Sequence, residues 1–161
     1  MSRWPVLWAW LFGMAGAGWL GAVEVSLVNE SMELAFDVAA GGALSGLRNL
    51  PCDTAFLPPP SGEAAAAADR SPWLLVLRGA DGSLVEVTGR QAGAVRHRMS
   101  GRSLELIWEG VRPEGLEGDL QVTMRVTLVP AEAKSRWELS VEGSAEGLLW
   151  DVQFPRLLGL Q

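Results

Sequence analysis

Histidine, cysteine, carboxylate and tryptophan are the side chains from which this chain could build a site, and their spacing argues against most sites. His97 is the sole histidine and Cys52 the sole cysteine. A general base needs a partner within hydrogen-bond reach and a cleft to work in, and nothing in the sequence joins His97 to either. His97 shares its parity with Val95 and Met99, so a hydrogen-bonded, partly buried strand position is expected for it. Zinc would require this one His and one Cys to be joined by two carboxylates from scattered strands, whereas zinc motifs use closely spaced ligands. Cys52 has no partner for an internal disulfide and is expected to serve as a small buried hydrophobe. No catalytic, metal-binding or cofactor-binding set is assigned.

Carboxylates are plentiful, among them Glu86, Glu105, Glu109, Glu138, Glu142 and Asp151. A glycosidase needs two of them facing each other across a sugar. Most fall at the outward parity of predicted strands, where an acid keeps a sheet face wet and discourages edge pairing. Asp151 stands apart because it lies between Trp150 and Phe154, where apolar, aromatic and acidic groups converge, although a solvated strand position is still the expectation for it. Trp73, Trp108, Trp137 and Trp150 follow the N-terminal apolar stretch. An exposed indole can stack on the apolar face of a pyranose, which makes Trp150, Asp151 and His97 the candidate carbohydrate contacts. Parity, however, puts Trp108, Trp137 and Trp150 on the apolar faces of their strands and predicts that they are core. Asn29-Glu30-Ser31 matches the N-glycosylation acceptor pattern.

The elements that would position these groups are strands. Met32, Leu34, Phe36 and Val38 alternate with Glu33, Ala35 and Asp37, the period-two signature of a half-buried strand. Leu104, Leu106 and Trp108 share one parity. Leu120, Val122, Met124, Val126 and Leu128 do so over a longer run, and Trp137, Leu139 and Val141 repeat the pattern. Leu148, Trp150, Val152 and Phe154 repeat it once more against Asp151 and Gln153. Turn residues fall between the runs: Gly41-Gly42, Ala80-Asp81-Gly82, Ser100-Gly101, Pro113-Glu114-Gly115 and Gly143. No helical period competes. Strands with one apolar face each need a second apolar face to cover them, so the expected fold is all-β, a mainly antiparallel two-sheet β-sandwich.

Two segments break the alternation. Residues 1–22 carry Arg3, an uncharged apolar run and small residues before Glu24, the layout of a secretory signal peptide cleaved after Ala17 or Ala22. An uncleaved membrane anchor is the alternative, since roughly 20 apolar residues can cross a bilayer. Either way the chain is expected to be exported to a periplasmic, extracellular or cell-surface location. Residues 58–72, with Pro58-Pro59-Pro60, alanines from Ala64 to Ala68 and Pro72, are expected to form a surface loop with one helical turn over the alanines. Residues 23–161 are long enough for one domain with a core of its own. The net charge of -6 and the lack of a basic stripe beyond Arg96, Arg98 and Arg102 exclude nucleic acid as an expected partner.

The succession Asn29, then Met32-Glu33-Leu34-Ala35-Phe36-Asp37, then Gly41-Gly42-Ala43-Leu44-Ser45-Gly46-Leu47-Arg48-Asn49 resembles the start of the galactose-mutarotase-like super-sandwich. That domain precedes the catalytic barrel in many exported glycoside hydrolases. Phe56-Leu57 resembles the strand that follows, and Trp150-Asp151-Val152-Gln153-Phe154-Pro155 resembles a W-x-V-x-F-P segment late in the first half of such domains. The resemblance implies a non-catalytic accessory sandwich that packs against a downstream catalytic barrel of the same parent protein and helps shape its cleft. Phe154 to Gln161 reads as an apolar strand without a closing turn, so an incomplete super-sandwich with an exposed apolar edge is expected. An independent carbohydrate-binding or cell-surface adhesion sandwich is the alternative from another class. A mutarotase-like sugar epimerase is less favoured, because a single histidine departs from that pattern.

Overall fold

The computed structural model of the chain describes residues 24–57, 69–158 and 160. The leader expected at 1–22 and the helical turn expected over Ala64 to Ala68 lie outside the described residues. The described chain is all-β. Its strands are β1 (Glu24–Val28), β2 (Met32–Asp37), β3 (Ala43–Asn49), β4 (Thr54–Leu57), β5 (Leu74–Arg78) and β6 (Leu84–Thr88), followed by β7 (Ala94–Ser100), β8 (Ser103–Val111), β9 (Leu120–Leu128), β10 (Ser135–Gly143) and β11 (Leu148–Gln153). A 3-10 turn, Gly89–Gln91, is closed by a reciprocal cap between Thr88 and Gln91.

Every strand pairing is antiparallel, and the chain forms a β-sandwich. Three hydrogen-bonded sheets run in the orders β1-β2-β3-β4, β10-β9-β8-β7 and β11-β5-β6. The two four-stranded sheets are meanders made of sequential neighbours, as turn-linked alternating strands must be. The third sheet is not sequential, because β11 returns late in the chain to pair with β5.

Side-chain alternation translates directly into burial in the central strands. Leu104, Leu106 and Trp108 of β8 and Val122, Met124, Val126 and Leu128 of β9 point inward and are fully buried. They meet Leu27, Leu34, Phe36 and Leu44 from the first sheet and Leu75, Leu77 and Val87 from the third in one core. Aromatic rings knit the sheets together: Trp73 meets Trp108 edge-on at 5.4 Å, and Trp137 contacts both Phe36 and Phe154.

Polar anchors hold the ends of the sandwich. The Asn29 amide donates to the carbonyls of Val129 (2.7 Å) and Glu132 (3.0 Å), while its side-chain oxygen accepts from the backbone N–H groups of Ser31 and Met32. One asparagine thus ties the β1–β2 turn to the β9–β10 turn. With its amide nitrogen committed to two carbonyls, Asn29 is an internal anchor, whatever its acceptor-pattern sequence suggests.

Residues 58–68 of the expected 58–72 loop lie outside the described residues, and at its end Ser71 and Pro72 are buried. The Ser71 hydroxyl accepts from Gly89 N–H, and the Pro72 carbonyl accepts from Arg156 N–H, so this segment is built into the body of the domain. Cys52 is exposed rather than buried, because it sits in the turn between β3 and β4, outside any alternating strand that could carry it to the core. Trp150 is also exposed, for a reason that bears on function.

Candidate functional site

The outer face of the three-stranded sheet holds the most distinctive group of side chains. β11 pairs with β5 through Leu148 with Arg78, Leu149 with Leu77, Asp151 with Val76, Val152 with Leu75 and Gln153 with Leu74. Trp150 has no partner in this register and is the extra residue of a β-bulge. A bulge shifts the alternation by one residue. Leu149 and Val152 therefore lie on the side of the buried Leu77 and Leu75, while Leu148, Asp151 and Gln153 lie on the opposite face. Trp150 joins that outer face, with the Arg78 guanidinium 5.0 Å from its ring centroid. Strict period-two parity had placed Trp150 in the core with Val152 and Phe154. The bulge sends it outward, where it is 59% exposed.

The sequence built Arg78 and Trp150 into this arrangement from two different strand types. β5, Leu74–Arg78, is a continuous apolar run with both faces buried until its final residue, as expected for a central strand. Arg78 stands where that strand emerges, opposite Leu148 on one side and Leu84 on the other. Both leucines are exposed, so the arginine stem and the indole form a small apolar platform with a charged centre. Neither Arg78 nor its strand stood out as functional in sequence. The apolar run between Pro72 and Gly79 was the signal that could have found the strand, but nothing local marks its last residue as the partner of a tryptophan about seventy positions later.

A cleft of about 620 Å³ opens beside this platform and shares Arg78 and Leu148 with it. Asp81, Ser83, Glu117 and Glu146 supply its polar lining. Asp81 Oδ1 accepts the Ser83 backbone N–H at 2.9 Å and the Ser83 hydroxyl at 2.6 Å, and these bonds hold its carboxyl below the ordinary carboxylate value. The backbone N–H of Glu146 donates to the Glu117 carbonyl at 2.8 Å, which fixes the far wall.

Of the three candidate carbohydrate contacts, Trp150 and Asp151 are brought together and His97 is not. Asp151 is exposed beside the bulge, and its Oδ1 accepts the N–H of Val152 at 2.8 Å. His97 lies on β7, an edge strand of a different sheet, opposite Leu106. It is exposed rather than partly buried, because β7 is the outermost strand and the inward-facing row that contains His97 and Met99 extends past the covering layer.

Three outward carboxylates of the β7–β10 sheet are engaged by arginines. Glu105 pairs with Arg125 at 2.7 Å, Glu109 with Arg96 at 3.0 Å and Glu138 with Arg136 at 3.0 Å. The first two pairs are cross-strand and the third lies within β10, and such solvated pairs each contribute little to stability. The two carboxylates with displaced titration, Glu30 and Asp81, are both held low by hydrogen bonds, the opposite of the raised pKa that a glycosidase acid requires. Among the described residues no group of three or more His, Cys, Asp or Glu side chains could hold a metal ion, and no helix is long and apolar enough to cross a membrane. The arrangement offers an exposed indole, a guanidinium and carboxylates that can stack on and hydrogen-bond a ligand. Comparison with protein-family models and with curated proteins finds no match.

Proposed function

We propose that the chain is a non-catalytic β-sandwich accessory domain of an exported, carbohydrate-active protein, packed against the catalytic domain of that parent. The observation that supports this reading is the apolar edge strand β11. It stands at one end of its sheet, and Leu149 and Val152, on the face opposite Leu148 and Trp150, are 52% and 42% exposed. Leu157, Leu158 and Leu160, which follow β11 in the chain, are exposed as well. An apolar strand whose outer edge has no partner among the described residues is a liability in an isolated domain, and covering side chains of this size stabilises by about 1.5–3 kcal/mol each. A catalytic barrel is the occupant implied by the resemblance of residues 29–49 and 150–155 to the super-sandwich of glycoside hydrolases.

Recovery of the protein from its native source with an antibody against residues 69–158 tests this. The expected product carries a glycoside-hydrolysing domain, covalently continuous with the sandwich or held to it. Recovery of the sandwich alone, or hydrolysis of a glycoside by the purified 161-residue chain, overturns the reading. A second reading, an independent carbohydrate-binding module, draws on a separate observation: Trp150 presents its indole to solvent instead of to the core.

A further inference from the structure

We infer that Trp150, Arg78 and the adjoining cleft form a binding subsite for a neutral pyranose, with Trp150 as the stacking platform. Trp150 is the exposed indole among the described residues. Trp73 and Trp108 are fully buried, and Trp137 packs against the core. Two devices hold it there. The bulge aims it outward, and bulges recur beside functional sites because they re-aim one side chain without disturbing the rest of a strand. Arg78 stands over the ring, and the indole is 59% exposed.

The surroundings select the ligand class. A pyranose has an apolar face of C–H groups and a rim of hydroxyls, so it needs an aromatic plane with polar side chains at its edge. Asp151 and Gln153 supply that edge along β11, and Asp81, Ser83, Glu117 and Glu146 supply it in the cleft. The cleft volume of about 620 Å³ lies inside the range of about 300–1,000 Å³ typical of small-ligand sites. Its charge is one-sided, with three carboxylates against the single guanidinium of Arg78. Hydrogen bonds from the Ser83 hydroxyl and backbone N–H hold the Asp81 carboxyl below its ordinary value. Uronic and sulfated sugars are therefore repelled and neutral sugars admitted. The inference takes its ligand class from the carbohydrate readings above and adds the place, the residues and the charge selectivity.

The test is protection of Trp150 from acrylamide quenching, read as the difference between the wild-type chain and its Trp150→Phe variant. The probes are cello-, xylo-, manno-, galacto- and malto-oligosaccharides, with oligogalacturonate as the acidic contrast. At least one neutral series is expected to protect Trp150. Trp150→Ala is expected to weaken that sugar's binding, measured by calorimetry, about tenfold or more, and Arg78→Ala to weaken it less, with the far-ultraviolet circular dichroism of both variants unchanged. Binding that Trp150→Ala leaves unaltered overturns this site while leaving a carbohydrate-binding role elsewhere intact. Absence of binding by every probe overturns the site and the binding-module reading together, but not the accessory reading, which the native-source experiment decides separately. Preference for oligogalacturonate overturns the charge selectivity and with it the neutral-pyranose assignment.

Discussion

The indole N–H of Trp108 donates to the carbonyl oxygen of Gly41 at 2.7 Å, which pins the β2–β3 turn onto the buried face of β8. The turn approaches so closely that a Cβ at Gly42 would stand 2.6 Å from the Trp108 ring, and Gly42 has a φ of +72°. Gly42→Ala combines a clash with a rigid, fully buried ring and an unfavourable backbone conformation, and is expected to destabilise by about 2–4 kcal/mol. Gly101→Ala is the control, since φ is also positive there but a Cβ would meet open space. It is expected to cost about 1 kcal/mol. Urea denaturation of both variants checks the difference.

Asn29 uses both ends of its amide, donating to Val129 and Glu132 and accepting from Ser31 and Met32, at 9% exposure. Asn29→Ala removes four hydrogen bonds to buried and partly buried backbone groups and is expected to destabilise by about 2–3 kcal/mol. Asn29→Asp keeps the volume but turns a carboxylate oxygen toward two carbonyl oxygens, so at pH 7 it is expected to be no better than the alanine. Equal stability of Asn29→Asp and wild type at that pH would contradict the assigned orientation of the amide.

Acid should weaken the β5–β6 turn. Hydrogen bonds from Ser83 lower the Asp81 pKa from its ordinary value of 3.8, so folding binds fewer protons at this group than unfolding does. Its contribution is complete above the ordinary value and is lost as pH falls through the lowered one. Asp81→Ala is expected to have a lower urea midpoint than wild type at pH 7, with the gap narrowing as pH drops below about 3.8. A gap that stays constant down to acid pH would remove the carboxylate from this role.

Cys52 is exposed in the β3–β4 turn. It is expected to react fully with a disulfide reagent such as DTNB in the absence of denaturant, and its replacement by serine to shift stability by less than about 0.5 kcal/mol. Thiol titration that requires unfolding would place it inside instead.

The sequence by itself determined which residues form the central strands and which of their faces is wet. In β9 the alternation of Leu120, Val122, Met124, Val126 and Leu128 with Gln121, Thr123, Arg125 and Thr127 maps residue by residue onto burial, because period-two geometry is a local property of an extended chain. The turns at Gly41-Gly42, Asp81-Gly82 and Gly101 were legible for the same reason. Tertiary structure alone decided the fate of the edges. His97 and Met99 have core parity but lie on an outermost strand, where covering depends on the layer opposite and not on their own pattern. Trp150 changed faces because pairing with β5, some seventy residues earlier in the chain, inserts a bulge at that position. Asp151 was already in view as a carboxylate beside an aromatic. The meeting of Trp150 with Arg78 was not, since a bulge is set by the register between two distant strands and leaves no mark on the alternation of either.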